Sequence, residues 1–191
     1  MINIVLFGAP GCGKGTQAQR LKEHYGILHV STGDVIRGEI ARGTELGRSM
    51  ESYIKQGKLA PDQIVIDMIA NYIADHKEAR GCIFDGFPRT TKQAEEFEKI
   101  MDKHGLKVDV MVDIHVPEEE LVKRILLRGK DSGRADDASE EVIRDRIEVY
   151  RSQTAVVADF YAKQQKYVDV NGLGSMDEVF DRIRKVVDTK I

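Results

Sequence analysis

The chain has 191 residues, 41% of them hydrophobic and 32% charged, with a formal net charge of −3 and a pI near 6.0. That length suits one globular domain with a full core and small insertions. The slight acidity excludes a general electrostatic pull toward nucleic acid or an anionic membrane, and no apolar run approaches the roughly 20 residues of a membrane span.

Residues 2–7 form an apolar run that reads as a buried strand. No basic leader precedes it, so no signal peptide is expected and the cytoplasm is the expected location. Gly8-Ala9-Pro10-Gly11-Cys12-Gly13-Lys14-Gly15-Thr16 follows at once, and a helix is predicted over 14–25. Strand, glycine-rich turn and helix make a phosphate cradle, because curled backbone N–H groups and the positive helix N-terminus point at one anion. Lys14 adds a mobile full charge, and Thr16 offers a hydroxyl to a phosphate or to Mg²⁺. The strict pattern has Ser or Thr directly after the lysine; here Gly15 intervenes. Cys12 reads as a small residue that fits the loop, where alkylation is expected to block it sterically. Cys82 reads as a core thiol, and two cysteines without a CxxC pair predict neither a disulfide framework nor zinc.

Strands are predicted at 28–30, 82–85, 109–116 and 167–170, and helices at 34–42, 45–56, 62–76, 91–104, 118–128, 140–165 and 175–188. The strand cores are continuous apolar runs, as in a parallel sheet covered on both faces. Five strands with crossover helices predict a three-layer α/β P-loop nucleotide-binding fold with a five-stranded parallel sheet. Two segments read as lobes inserted in this single domain: residues 31–60, ahead of Pro61, and the polar connection 129–138. Flanking arginines suggest that the second is a moving cover.

Asp85-Gly86-Phe87-Pro88-Arg89 leaves the strand at 82–85. Ligands of open α/β sheets bind beyond the carboxyl ends of the strands, so Asp85 is expected beside the phosphate loop, holding Mg²⁺ directly or through water. Arg89 can grip a phosphate with its fork. Arg146 has Val142, Ile143, Val149 and Tyr150 as helical neighbours, so it points inward and needs an anion, either a ligand or a distant carboxylate. Arg124 and Arg128 share one helix face, where Glu120 could pair with Arg124. Arg134 lies in the polar connection, and Arg37 follows the helix cap Ser31-Thr32-Gly33-Asp34. With Lys14 these cations could converge. A nucleoside triphosphate facing a monophosphate brings roughly six negative charges, and one triphosphate with Mg²⁺ would not need so many arginines. An acceptor phosphate is already an anion, so no general base is required. The five histidines (His24, His29, His76, His104 and His115) read as structural or solvated. Catalysis would be positioning and electrostatic stabilisation in a site closed against water.

Along nearly its whole length the chain resembles the adenylate kinases, of the nucleoside monophosphate kinase family. The resemblance rests on Gly8 to Thr16 with the extra Gly15, on Ser31-Thr32-Gly33-Asp34 with Arg37, on Asp85 to Arg89 followed by Gln93, and on Gly133-Arg134-Ala135-Asp136-Asp137 followed by Arg146. It implies reversible transfer of the terminal phosphoryl of ATP to AMP, giving two ADP. By motif, Gly11, Cys12, Gly13, Lys14, Gly15, Thr16, Arg124, Arg128 and Gly174 would hold ATP. Thr32, Arg37, Lys58, Leu59, Ala60, Gly86, Phe87, Pro88, Arg89 and Gln93 would hold AMP. Arg134 and Arg146 would bridge the phosphates, and the implied catalytic set is Lys14, Arg89, Arg134 and Arg146. Thr32 and Gln93 bear on base choice, since Gln93 can donate to and accept from an adenine edge. The short lid lacks the cysteine-bearing insertion of long-lid members, so structural zinc is not expected, and a monomer is. A UMP/CMP kinase or a broad nucleoside monophosphate kinase is the alternative within the class. A regulatory P-loop switch that binds one nucleotide is the alternative outside it, and the arginine surplus argues against that.

Overall fold

The structure is a computed structural model that describes residues 2–76 and 78–191. Its centre is a five-stranded sheet in the order β2-β3-β1-β4-β5, built from β1 (Ile2–Phe7), β2 (Leu28–Ser31), β3 (Gly81–Asp85), β4 (Val110–His115) and β5 (Tyr167–Asn171). Every pairing is parallel, with Ile4 opposite Ile83 on one side and Val110 on the other. All six residues of β1 are buried, because helices cover both faces of the sheet.

The two faces divide by strand alternation. Ile2, Ile4 and Leu6 join a core completed by Leu21 of α1 (Lys14–Tyr25), Ile125 of α6 (Glu118–Ser132), Ile143 of α7 (Glu140–Val149) and Ile183 of α9 (Met176–Asp188). Val5 and Phe7 join the opposite core with Ile69 of α4 (Asp62–Asp75), Phe97 of α5 (Thr91–Lys103) and Tyr161 of α8 (Val157–Ala162). Cys82 lies in this second core, where burial pushes its thiol up to about 12.

Between β2 and α4 run α2 (Thr32–Ala41) and α3 (Glu45–Lys55), each capped by a side chain, Ser31 accepting from the Asp34 N–H and Thr44 from the Gly47 N–H. The helix expected at 34–42 therefore starts earlier, so that Thr32 and Gly33 lie in its first turn.

Two expectations differ from what forms. The connection 129–138 is not one loop: α6 runs on to Ser132, Gly133 closes it in the left-handed region, and Ala135–Asp137 make a short 3₁₀ turn. Gly129 is what lets this turn pack down, since a Cβ there would stand 2.6 Å from the Asp137 carbonyl oxygen. The helix expected over 140–165 is broken by a π turn, Tyr150–Thr154, in which Ala155 N–H donates to the Tyr150 carbonyl at 2.8 Å. The π turn moves the packing from Ile143 and Ile147 on one face of the sheet to Val157 and Tyr161 on the other. It also sets the Tyr150 ring 5.6 Å from that of Phe7, at the end of β1.

Candidate active site

The carboxyl ends of the strands open into one cleft of about 1160 Å³. The phosphate loop forms its floor. Gly11 and Gly13 hold φ values of +84° and +101°, a region only glycine enters without strain, and Gly13 is the N-cap of α1. Lys14 curls over its own loop, its Nζ donating to the carbonyls of Gly8 at 2.6 Å and Ala9 at 3.1 Å. Cys12 is only 2% exposed beneath it. A Cβ on Gly15 would lie 3.9 Å from Asp85 Oδ2, so the β3 carboxylate faces the start of α1. His29, read from sequence as structural or solvated, also lines the cleft, with Nε2 3.5 Å from the same oxygen.

At the rim, Arg124 donates to Glu120 at 2.8 Å, as its helical spacing allowed, and to the Gly172 carbonyl at 3.2 Å. Gly174 lies just beyond, on the loop leading into α9. Leu127 and Met176 border the same end with largely exposed apolar side chains, a feature the polar motifs did not reveal.

The turn at Ala135–Asp137 supplies two buried carboxylates. Arg128 grips Asp137 with two parallel bonds of 2.7 and 2.8 Å. Arg146, 14% exposed, donates to Asp137 Oδ1 at 2.8 Å and to the Asp136 carbonyl at 2.9 Å, and lies 3.2 Å from the Asp136 carboxylate. Its apolar helical neighbours do turn it inward, but the anion it meets is this pair of aspartates, which the sequence placed in a solvated loop. Burial alone would raise the Asp137 carboxyl; the Arg128 and Arg146 guanidiniums outweigh it and hold the group below the usual carboxylate range.

The two inserted segments meet across the cleft. Asp34 pairs with Arg37 one helical turn on and lies 3.4 Å from Arg134. Burial would raise the Asp34 carboxyl, but these two arginines hold it down. Arg89, by contrast, has no carboxylate partner among the described residues; its Nε donates to the Gly86 carbonyl at 2.6 Å. Burial, together with Arg146 and Arg37, lowers the Arg89 guanidinium from its ordinary value against the pull of Asp85.

Every residue assigned from the sequence to ATP, AMP or Mg²⁺ lines this one cleft: the loop from Gly11 to Thr16; Thr32 and Arg37; Lys58, Leu59 and Ala60; Asp85 to Arg89 with Gln93; Arg124, Arg128, Arg134 and Arg146; and Gly174. Arg37, Arg89 and Arg146, which come from three separate elements, share it.

A family model described as adenylate kinase matches residues 6–166. A curated adenylate kinase of Bacteroides thetaiotaomicron is 54% identical over 188 residues, covering 98% of this chain and 99% of that protein. One from Bacteroides fragilis is 51% identical over 99% of this chain and all of its own, and one from Maricaulis maris 47% over the same shares. The chain belongs to the adenylate kinase family. As a member it is an enzyme, an ATP:AMP phosphotransferase with the P-loop fold of that family. Among the described residues, no helix is long and apolar enough to cross a membrane, and no group of three or more His, Cys, Asp or Glu side chains is arranged to hold a metal.

Proposed function

We propose that the cleft holds ATP and AMP at once, tail to tail, and that the arginines along its length carry the transferring phosphoryl group between them. The observation that carries this reading is the convergence of Lys14, Arg37, Arg89, Arg124, Arg128, Arg134 and Arg146 on one cavity of about 1160 Å³. That volume exceeds the roughly 300–1,000 Å³ usual for a single small ligand.

The phosphate loop from Gly11 to Thr16, with Arg124, Arg128 and the backbone at Gly174, takes ATP. Thr32, Arg37, the backbone of Lys58 to Ala60, Gly86 to Arg89 and Gln93 take AMP. Thr32 is already ordered for this, its hydroxyl donating to the Gly86 carbonyl at 3.0 Å. Arg89, Arg134 and Arg146 reach the phosphates between the two nucleotides. Residues 31–60 act as the acceptor lobe and 129–138 as the lid, and their contact through Asp34 and Arg134 is the closed arrangement.

In the reaction, an anionic oxygen of the AMP phosphate attacks the terminal phosphorus of ATP. The bond from that phosphorus to the bridging oxygen breaks, and ADP leaves as an anion. No proton moves, which fits a site whose cationic side chains outnumber candidate bases. The fixed guanidiniums stabilise the charge spread over the transferring group. The Asp85 carboxylate facing the first turn of α1, one residue from Thr16, is a hard oxygen donor set suited to Mg²⁺. Asp85 and Thr16 would hold that ion directly or through water, and it would neutralise charge on the outer phosphates.

Two measurements test the reading. ADP formation should require both ATP and AMP, with UMP and CMP poor acceptors. A mimic joining two adenosines through a polyphosphate should bind far more tightly than ATP; equal affinities would refute a two-nucleotide site.

A further inference from the structure

Gln93 is 1% exposed and held between groups of opposite hydrogen-bonding character. The Arg89 backbone N–H donates to its Oε1 at 2.8 Å, and its Nε2 donates to Asp62 Oδ1 at 2.8 Å. The same Asp62 oxygen accepts from the Thr90 hydroxyl at 3.0 Å, and Thr90 caps α5 by accepting from the Gln93 N–H at 3.1 Å. A backbone N–H can only donate and a carboxylate can only accept. Turning the amide through 180° would set oxygen against carboxylate and NH₂ against N–H. The surroundings therefore allow one orientation.

We propose that Asp62 is a positioning residue for acceptor choice: by fixing which way the Gln93 amide faces, it enforces adenine over hypoxanthine. This rests on the reading of Gln93 as a group that meets the acceptor base. Adenine presents a donor at its 6-amino group and an acceptor at N1. Hypoxanthine presents the reverse, an acceptor at O6 and a donor at N1. With one N–H and one lone pair still free, the pinned amide matches adenine, and only the turned amide matches hypoxanthine. Asp62 lies on the first turn of α4, two residues beyond the segment 58–60, so one carboxylate ties the base-reading amide to the helix that follows the acceptor lobe. Without it, only the Arg89 N–H opposes the turn.

The test compares AMP and IMP as acceptors, with ATP as donor, in the wild type, Asp62→Ala, Asp62→Asn and Gln93→Leu. Asp62→Ala is expected to raise the IMP/AMP ratio of kcat/KM about tenfold, mainly through a higher KM for AMP and without change in ATP affinity. Asp62→Asn should fall between, because its carboxamide can accept or donate. Both acceptors are measured on the same folded molecules, so a loss of stability alone leaves the ratio where it was. Gln93→Leu should remove most of the preference for AMP. If that variant collapses the ratio while Asp62→Ala leaves it unchanged, the assignment of Asp62 is overturned and the base-reading role stands. If Gln93→Leu leaves the ratio unchanged, the base-reading role is overturned and the assignment of Asp62 with it.

Discussion

Gly57 sets its bare Cα against the stem of Arg146: a Cβ there would stand 2.6 Å from Arg146 Cγ and 3.4 Å from the Val142 carbonyl oxygen. The segment before Lys58 thus rests on the side chain of Arg146, which the proposed function sets against the phosphates. Arg146 cannot swing aside, because Asp136 and Asp137 hold its head. Gly57→Ala should lift the 58–60 backbone away from Arg146, raising KM for AMP and lowering kcat, together about tenfold or more in kcat/KM. The control is Gly43→Ala in the same lobe. Gly43 has a similar φ, +63° against +67°, but nothing within 4 Å of its Cβ position. Both variants should lose about 1 kcal/mol of stability to backbone strain, and only Gly57→Ala should lose turnover. Equal losses of turnover would show that strain alone is responsible.

Arg89 is partly buried beside Arg37 and Arg146, with no carboxylate salt-bridge partner among the described residues, and its Nε is fixed on the Gly86 carbonyl. On the proposed reading its head takes a ligand phosphate. Arg89→Ala should reduce kcat by about 10²- to 10³-fold and leave ATP affinity within a few-fold, measured by steady-state kinetics and calorimetry. Comparable losses in both would place Arg89 on the donor side.

Asp137 is the shared partner of Arg128 and Arg146, with no side-chain exposure. Asp137→Asn should cost about 3 kcal/mol in urea unfolding at pH 7, since it removes the buried charge shared by the partly buried Arg128 and Arg146. The folded Asp137 carboxyl is held below its unfolded value. Its contribution is therefore fully present above pH ~4, the unfolded value, and is lost as pH falls through the lower folded value. The gap between wild type and Asp137→Asn should narrow below pH ~4. A gap that stays constant into strong acid would show that the ion pair is not its source.

Cys12 lies under the phosphate loop, with Lys14 Nζ 3.5 Å from its sulfur. A bulky alkylating reagent there should displace Lys14 and abolish turnover, and saturating ATP should slow the reaction. Full activity after complete alkylation of Cys12, checked by mass spectrometry, would contradict this.

The sheet was legible because the strand cores Val5-Leu6-Phe7 and Val110-Met111-Val112 are continuous apolar runs, as strands covered on both faces present. The loop from Gly8 to Thr16 and the turn from Asp85 to Arg89 were legible because glycine and charge stand at the ends of those strands. The folded turn within 129–138 was not legible because Asp136 and Asp137 stand in a polar stretch, and only the fold brings Arg128 and Arg146 against them. The π turn was invisible because a helical period continues through it; the Tyr150 contact with Phe7 comes from distant chain. Asp62 gave no signal beyond a helix start after Pro61, since its role depends on a side chain 31 positions away.

Because Asp34, Asp136 and Asp137 already engage arginines in the cleft, a polyphosphate bound as proposed would exchange with internal carboxylates instead of meeting bare charge. The cleft behaves as an ion exchanger with its counter-ions tethered to the chain. On the same reading, as the two diphosphates depart these carboxylates would close back on the guanidiniums and weaken the hold on products that an undiluted field of arginines would otherwise keep.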